Sequence, residues 1–246
     1  MKIVATIEAR MTSSRLPGKV MLPASGKPML RHLIDRLKQV HTIHEIVLAT
    51  TTNDADQVIT DFASKQDVRI FRGSEEDVMS RVIGAARFAE AEVIVEITGD
   101  CPIIDPLIIE QTIQMFVHNP CDYCSNVLIP SYPTGMDTQV YRLKTLEKSY
   151  TMTDDPLDRE HVTRHIRLNP DIFSHIHLVA SPDLFSPDLN LTLDEPKDYE
   201  LLKKIIEYFG DKNPYFTCRE VVHLLQQVHP EWVDINKHVL RKGLHR

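Results

Sequence analysis

Arg10, Arg15 and Lys19 lie within one eleven-residue stretch, Ala9-Arg10-Met11-Thr12-Ser13-Ser14-Arg15-Leu16-Pro17-Gly18-Lys19, with three hydroxyls and a glycine between them. Cations spaced this way do not cluster without a ligand, yet together they can neutralise a polyphosphate. A glycine also lets backbone N–H groups approach the phosphate oxygens. The stretch directly follows Lys2–Glu8, an apolar run that reads as a buried strand, in a chain of formal net charge −7. A basic loop placed there points to a local anion site more than to a solvated surface. It is not a Walker A loop, because GxxxxGK[ST] is missing, and it is not GxGxxG.

Acidic groups that could complement such a site end two other apolar runs. Asp100 follows a strand-like segment in Thr98-Gly99-Asp100-Cys101-Pro102, and Asp194 ends Asn190-Leu191-Thr192-Leu193 just before a proline-opened helix. A carboxylate at a strand's carboxyl edge, after a glycine that admits close approach, is well placed to hold Mg²⁺ against a phosphate. Mg²⁺ takes one or two carboxylates and leaves its other positions to phosphate and water. An Asp in either place can instead cap the next helix, and Glu195 could substitute for Asp194.

Other groups carry weaker signals. Arg159, Glu160, His161 and Arg164 offer cations and a titratable imidazole to an acceptor's carboxylate or phosphate. His161 and His165 have the i, i+4 spacing of a helical metal pair, but without HExxH order or a third ligand they read as packing or anion contacts. Asp77 and Arg81 share that spacing, so a surface ion pair is an equal reading. Asp54-Ala55-Asp56 has the D-x-D form of a nucleotide-sugar glycosyltransferase but sits in a capping context. Cys121-Asp122-Tyr123-Cys124 is a lone CxxC among four cysteines, read as reduced thiols. Met11, Met21 and Met29 read as core filler.

These residues need a scaffold, and the hydrophobic pattern supplies one. Strands are expected at Lys2–Glu8, Glu45–Thr51, Val68–Phe71 and Glu92–Thr98. Helices are expected at Pro28–Val40, from Asn53 or Asp54 to Lys65, and at Glu75–Ala91 behind a Ser74 cap. Short strands alternating with helices imply right-handed βαβ units and a parallel sheet covered on both faces. Ligands of such sheets bind at the carboxyl ends of the strands, where the strand order reverses. After a helix from Pro106 to His118 the order changes. Short strands are expected near Asp122–Leu128, Asp137–Tyr141, Ile172–Leu178 and Leu189–Leu193. Helices are expected near Lys144–Thr151, Arg159–Leu168 and Pro196–Phe209, then one from Thr217 with a polar tail. The simplest organisation is one domain over 1–246 with a small β-containing excursion at 130–180.

Bulk properties narrow the function. A 246-residue chain with 42% hydrophobic residues can bury a core without disulfides or a structural metal. The acidic balance argues against broad nucleic-acid binding, which needs a basic face. Neither a signal peptide nor a membrane span is evident, so a cytoplasmic protein is expected.

Glu8-Ala9-Arg10-Met11-Thr12-Ser13-Ser14-Arg15-Leu16-Pro17-Gly18-Lys19 resembles the opening signature of the cytidylyltransferases, the family of the acylneuraminate and 3-deoxy-manno-octulosonate enzymes. The branch it most resembles is that of spore coat polysaccharide biosynthesis protein F. Similarity continues in order through Phe71-Arg72-Gly73-Ser74-Glu75-Glu76-Asp77-Val78, Thr98–Pro102, Tyr132-Pro133-Thr134-Gly135-Met136-Asp137, Arg159-Glu160-His161-Val162-Thr163 and Leu191–Pro196. The resemblance implies a Rossmann-like α/β fold of nucleotide-diphospho-sugar transferase type and CTP as the nucleotide. It also implies an acidic-sugar acceptor, a phosphonate or sugar phosphate being the alternative. Arg10, Arg15, Lys19 and Asp100 become the expected catalytic groups, with Mg²⁺ on Asp100 and Asp194. Ala9, Arg10, Met11, Ser13, Ser14, Lys19, Arg72, Gly73, Asp77, Thr98 and Gly99 become nucleotide contacts. Tyr132, Pro133, Gly135, Asp137, Glu160, His161 and Arg164 fall on the acceptor side. A homodimer through the 130–180 excursion is expected on the same basis.

Overall fold

The computed structural model describes residues 1–239, so the last seven residues of the expected polar tail, 240–246, lie outside it. The first half alternates strands and helices: β1 (Ile3–Glu8), a small hairpin of β2 (Pro23–Ala24) and β3 (Lys27–Pro28), α1 (Met29–Leu37), β4 (Glu45–Thr51), α2 (Gln57–Ala63), β5 (Arg69–Gly73), α3 (Val78–Phe88) and β6 (Val93–Thr98). There follow α4 (Pro106–His118), β7 (Tyr123–Ser125), β8 (Gln139–Arg142), α5 (Leu143–Met152), α6 (Pro156–Glu160), α7 (Arg164–Leu168), β9 (His175–His177), α8 (Pro196–Phe209) and α9 (Cys218–His223). No helix among the described residues is long and apolar enough to cross a membrane.

Seven strands make one sheet in the order β5-β4-β1-β6-β8-β7-β9. β1, β4, β5 and β6 run parallel, β8 is antiparallel to β6, β7 is antiparallel to β8, and β9 is parallel to β7. From β1 the chain steps outward to β4 and β5, then returns to lay β6 on the other side of β1. The order therefore reverses between β1 and β6, which opens a crevice at their carboxyl ends. Side-chain alternation along the buried strands feeds two cores. Ile3, Ala5, Ile7, Val95 and Ile97 pack with α1, α4 and α8 residues such as Leu33, Ile109 and Leu202. Val4, Ile94 and Tyr141 pack on the opposite face with Val82 of α3, Leu146 of α5 and Ile166 of α7.

β7 and, within the 130–180 segment, β8 and β9 extend the main sheet. Leu189–Leu193 is not a strand. It is an extended segment joined to the 132–137 loop by a bridge between Thr134 and Asn190. The expected Arg159–Leu168 helix is two short ones, broken where Val162 takes φ +43°. Asp77 caps α3 in place of Ser74, accepting from the Ser80 N–H at 2.8 Å, while the Ser74 hydroxyl accepts from the Asp77 N–H. Neither Asn53 nor Asp54 caps α2, which is entered through a 3-10 turn at Asp54–Asp56. The helix expected from Thr217 starts with a reciprocal Thr217–Glu220 cap. It continues past α9 as a π turn and a 3-10 turn to Ile235.

One polar row crosses the second core. Thr6 and Glu8 of β1 share a face with Glu96 of β6, and Glu96 lies in register with Gln139 of β8. The Gln139 amide donates to Glu96 at 3.1 Å, the Tyr141 hydroxyl donates to its other oxygen, and the Gln139 carbonyl accepts from Tyr123 and Thr163, both at 2.6 Å. Burial pushes the Glu96 pKa from 4.5 to about 7, although the Tyr141 and Gln139 bonds act to lower it.

Two predictions follow from this architecture. Between pH 4.5 and 7 the folded state holds the Glu96 proton more tightly than the unfolded chain, so this residue lowers stability as pH rises through that window. Urea titrations at several pH values should show Glu96→Gln flattening the fall by on the order of 1–3 kcal/mol; parallel pH profiles for variant and parent would contradict this. Gly135 sits at φ +98°, and a Cβ there would lie 2.5 Å from the Leu191 carbonyl oxygen. Gly135→Ala should therefore cost roughly 2–4 kcal/mol, and an unshifted denaturation midpoint would rule this out.

Candidate active site

The basic loop leaves β1 at its carboxyl end and closes on itself. The Gly18 N–H donates to the Met11 carbonyl at 2.9 Å, and Gly18 takes φ +70°, a conformation suited to glycine. Lys19 then opens a short 3-10 turn, Lys19–Met21, which is anchored by buried Val20. This anchoring aims the lysine back over the crevice between β1 and β6.

Asp100 reaches the crevice from the other side. Gly99 lets the end of β6 lie against β1, its N–H donating to the Glu8 carbonyl at 2.9 Å; a Cβ there would come within 2.8 Å of that oxygen. The Thr98 hydroxyl donates to Asp100 at 2.6 Å. The Asp100 carbonyl accepts from the Leu193 N–H at 2.8 Å, which draws the segment carrying Asp194 alongside. Asp198, in the first turn of α8, accepts from the Asp194 and Glu195 N–H groups at 3.2 and 2.9 Å and fixes the angle at which the acid enters.

Four of the expected residues meet. The Lys19 ammonium lies 3.3 Å from Asp100 and 2.9 Å from Asp194, and Arg15 lies 3.0 Å from the same Asp194 oxygen and 3.6 Å from Glu195. Burial works against the Lys19 charge, yet Asp100 and Asp194 hold its pKa above the ordinary value. Burial likewise opposes ionisation of Asp100, and Lys19 with the Thr98 hydroxyl overcomes it, holding the carboxyl below its usual range. Both acids therefore address one point, where a cation already sits. Among the described residues no group of three or more His, Cys, Asp and Glu is gathered for a metal. A two-carboxylate set is nonetheless what Mg²⁺ accepts when phosphate completes its shell, so the residues present fit that ion.

The start of the loop is tied to the β4 and β5 ends. The Met11 N–H donates to Asp56 at 2.6 Å, and Asp56, with 0% exposure, also accepts from the Thr51 N–H and hydroxyl. The second acid of Asp54-Ala55-Asp56 is thus a buried fastener, which removes the D-x-D glycosyltransferase reading. Glu75 gathers Arg10, at 3.3 Å, with Thr12 and Asn53, and these partners hold its carboxyl below the usual range. Arg72 spans the β4–α2 connection through the Thr51 and Asn53 carbonyls, both at 2.8 Å, and the Gln57 side chain. Ala9 is buried, Ser13 half-buried and Ser14 exposed. Asp77 and Arg81 do not pair. Asp77 accepts from Tyr150 at 3.1 Å, while Arg81 is buried and donates to the Ser74 and Glu75 carbonyls.

The residues expected on the acceptor side are dispersed. Asp137 is half-buried beside the crevice; burial, with Asp100 adding, raises its pKa to about 6. Tyr132 packs in the core at 6% exposure, with Pro133 and Gly135 also buried. Glu160 and His161 are exposed, and Arg164 is engaged by Asp155 and Asp158 at 3.2 and 2.5 Å. His161 and His165 fall on either side of the break between α6 and α7, and His165 meets the Ser149 hydroxyl at 3.1 Å, so no helical metal pair exists. The four cysteines are free thiols. Sequence reasoning gave no role to Asp198 or Glu8, although an acid three positions after Glu195 is a helix-start signal and a charge ending an inward-facing strand register is unusual.

The sequence profile described as Cytidylyltransferase matches residues 4–228. Spore coat polysaccharide biosynthesis protein SpsF of Bacillus subtilis is 31% identical over 239 residues, covering 92% of this chain and 94% of that protein. A 3-deoxy-manno-octulosonate cytidylyltransferase of Geobacter sulfurreducens is 33% identical over 120 residues, 49% of this chain and 47% of its own length. The solved cytidylyltransferase of Leptospira borgpetersenii superposes with a TM-score of 0.90 at 31% identity, over 95% of this chain and 97% of that one. On this match and on its fold, the chain belongs to the cytidylyltransferase family, in its SpsF-like branch, and is a CTP-dependent nucleotidyltransferase.

Proposed function

We propose that the enzyme transfers CMP from CTP to a small acidic sugar, releasing pyrophosphate, for the assembly of a surface polysaccharide. The observation that carries this proposal is the convergence of Arg15 and Lys19 with Asp100 and Asp194 at the crevice where the strand order reverses. Cations and acids in one place suit a metal-bound triphosphate better than either would alone. The acidic-sugar acceptor is supported by the relatives' printed activities, and a phosphonate or sugar phosphate is the alternative.

In this proposal an acceptor oxygen attacks the α-phosphorus in line and pyrophosphate departs. Arg10, Arg15 and Lys19 neutralise the triphosphate and orient it, with the loop's N–H groups and hydroxyls around them. Asp100 and Asp194 would hold Mg²⁺, with Glu195 left to cap α8 and meet Arg15. When bound, that ion offsets charge on the transferring phosphorus and the leaving group. The protein's own contribution is position and a preset field, because phosphoryl transfer asks for little covalent help. Asp137 and the 130–180 segment would face the acceptor. The exposed Leu168, Ile172 and Val179 support that segment as a homodimer contact, and action in the cytoplasm suits a CTP-dependent step.

Crossing the four nucleoside triphosphates with sialic-type acids, octulosonate, aminoethylphosphonate and sugar 1-phosphates in a pyrophosphate-release screen tests nucleotide and acceptor together. Release from CTP with an acidic sugar is expected; release only with a sugar 1-phosphate would overturn the acceptor class. Asp100→Asn should lower kcat by about a hundredfold or more, and near-normal turnover at saturating Mg²⁺ would sink the metal assignment. Lys19→Ala should weaken CTP binding by roughly ten- to a hundredfold in calorimetric titration, and an unchanged affinity would remove its role.

A further inference from the structure

Neither arginine of the Arg159–Arg164 segment is free to meet an anion. Arg159 donates to the Thr153 carbonyl at 2.8 Å, pairs with Asp154 at 3.2 Å and lies over the Tyr150 ring. Arg164 is held by Asp155 and Asp158. The next arginine, Arg167 of α7, differs. It is half-buried, and its side chain makes no ion pair or hydrogen bond with the described residues. Its Nε is sealed from solvent without an acceptor, whereas the two terminal nitrogens stay open to solvent. A sealed donor left unmade is costly, above all on a charged group.

The helix aims this side chain at the polar row on the sheet. Thr163, the residue before α7, donates its hydroxyl to the Gln139 carbonyl of β8 at 2.6 Å, and buried Ile166 docks in the core on that face. Arg167 comes one turn after Thr163, its N–H meeting the Thr163 carbonyl at 2.9 Å, so the two side chains share a face of the helix. Helical side chains lean toward the N-terminus, which carries the guanidinium back toward Gln139 and its partner Glu96.

The charges around it agree with that placement. Arg167 is a cation felt by Glu96, Tyr123 and Asp137, and Asp137 feels Asp100 as well. The guanidinium thus stands within electrostatic reach of the acid beside the crevice, yet it is bonded to neither carboxylate. Burial raises the Glu96 pKa to about 7 and that of Asp137 to about 6, so at neutral pH they offset Arg167 less fully than ordinary carboxylates would. An acceptor entering beside Asp137 meets a planar fork of donors, the group best shaped for a carboxylate or phosphonate.

We infer that Arg167 is a specificity-determining residue whose guanidinium receives the acid group of the acceptor, a role closed to Arg164 while Asp155 and Asp158 hold it. The inference rests on the proposed transfer of CMP to an anionic acceptor and adds the residue that reads the anion.

The test measures pyrophosphate release by the full-length enzyme with 3-deoxy-manno-octulosonate and with its methyl ester, which keeps the hydroxyls and removes the charge. The parent should favour the acid in kcat/KM by at least about a hundredfold. Arg167→Gln should raise KM for the acid at least about tenfold with little change for the ester, so that the preference narrows. Arg167→Lys, which keeps the charge and loses the fork, should fall between the two. Calorimetric titration should give both variants the parent's CTP affinity, which separates a reading role from a damaged fold. Equal losses with acid and ester, an unchanged KM for the acid, or loss of CTP binding together with activity would overturn the inference. Aminoethylphosphonate is the second arm. If the parent uses it and not octulosonate, the acidic-sugar reading falls; a tenfold rise in KM for the phosphonate in Arg167→Gln then upholds the inference, and an unchanged KM overturns it. Use of neither acceptor by the parent removes the proposed function and this inference together.

Discussion

The Lys19 ammonium, held between Asp100 and Asp194, is the contact on which the arrangement of the site depends. It joins residues 81 and 175 positions apart, and each comes from a different kind of element: a loop after β1, the end of β6 and the entry to α8. Two carboxylates directed at one point repel each other, and burial raises the cost of keeping both ionised. A cation between them removes that cost. On the proposed reading, the same demand would make the point a place for Mg²⁺ once phosphate completes its shell. The pairing thus keeps Lys19 and Asp100 charged and in place despite their burial.

Backbone contacts, more than side chains, bring those elements together. Gly99 permits its N–H to meet the Glu8 carbonyl, and the Leu193 N–H meets the Asp100 carbonyl. The first contact joins β6 to β1 at the switch point, and the second ties in a segment that pairs with the sheet at no other described place apart from its link to the 132–137 loop. Gly135 makes that link possible, since any side chain there would strike the Leu191 carbonyl. Two glycines far apart in the chain therefore fix the spacing of the two acids.

Much of this was legible in the sequence. Alternating apolar runs and helical periods gave the parallel half of the sheet, and the place where a basic loop follows a first strand gave the crevice. What could not be read were the partners of polar groups, because these depend on register and on contacts between distant segments. Asp56 looked like half of a metal motif and is a fastener for Met11; Asp77 and Arg81 had the spacing of an ion pair and each found other partners. Leu189–Leu193 had a strand's composition but, among the described residues, pairs only through the bridge of Asn190 to Thr134, while β8 lies beside β6 in the sheet. The Arg159–Leu168 helix failed at Val162, whose backbone conformation no local propensity would suggest.

The two faces of the sheet divide the chemistry. Val20 and Leu193, which flank the phosphate-side cation and acid, are anchored in the core that holds Ile7 and Ile97. Glu8 and Glu96 alternate with those strand residues and so belong to the opposite face, covered by α3, α5 and α7. β1 and β6, which line the crevice, therefore carry an apolar face toward the Lys19 turn and a face bearing the Glu8 and Glu96 carboxylates toward α3, α5 and α7.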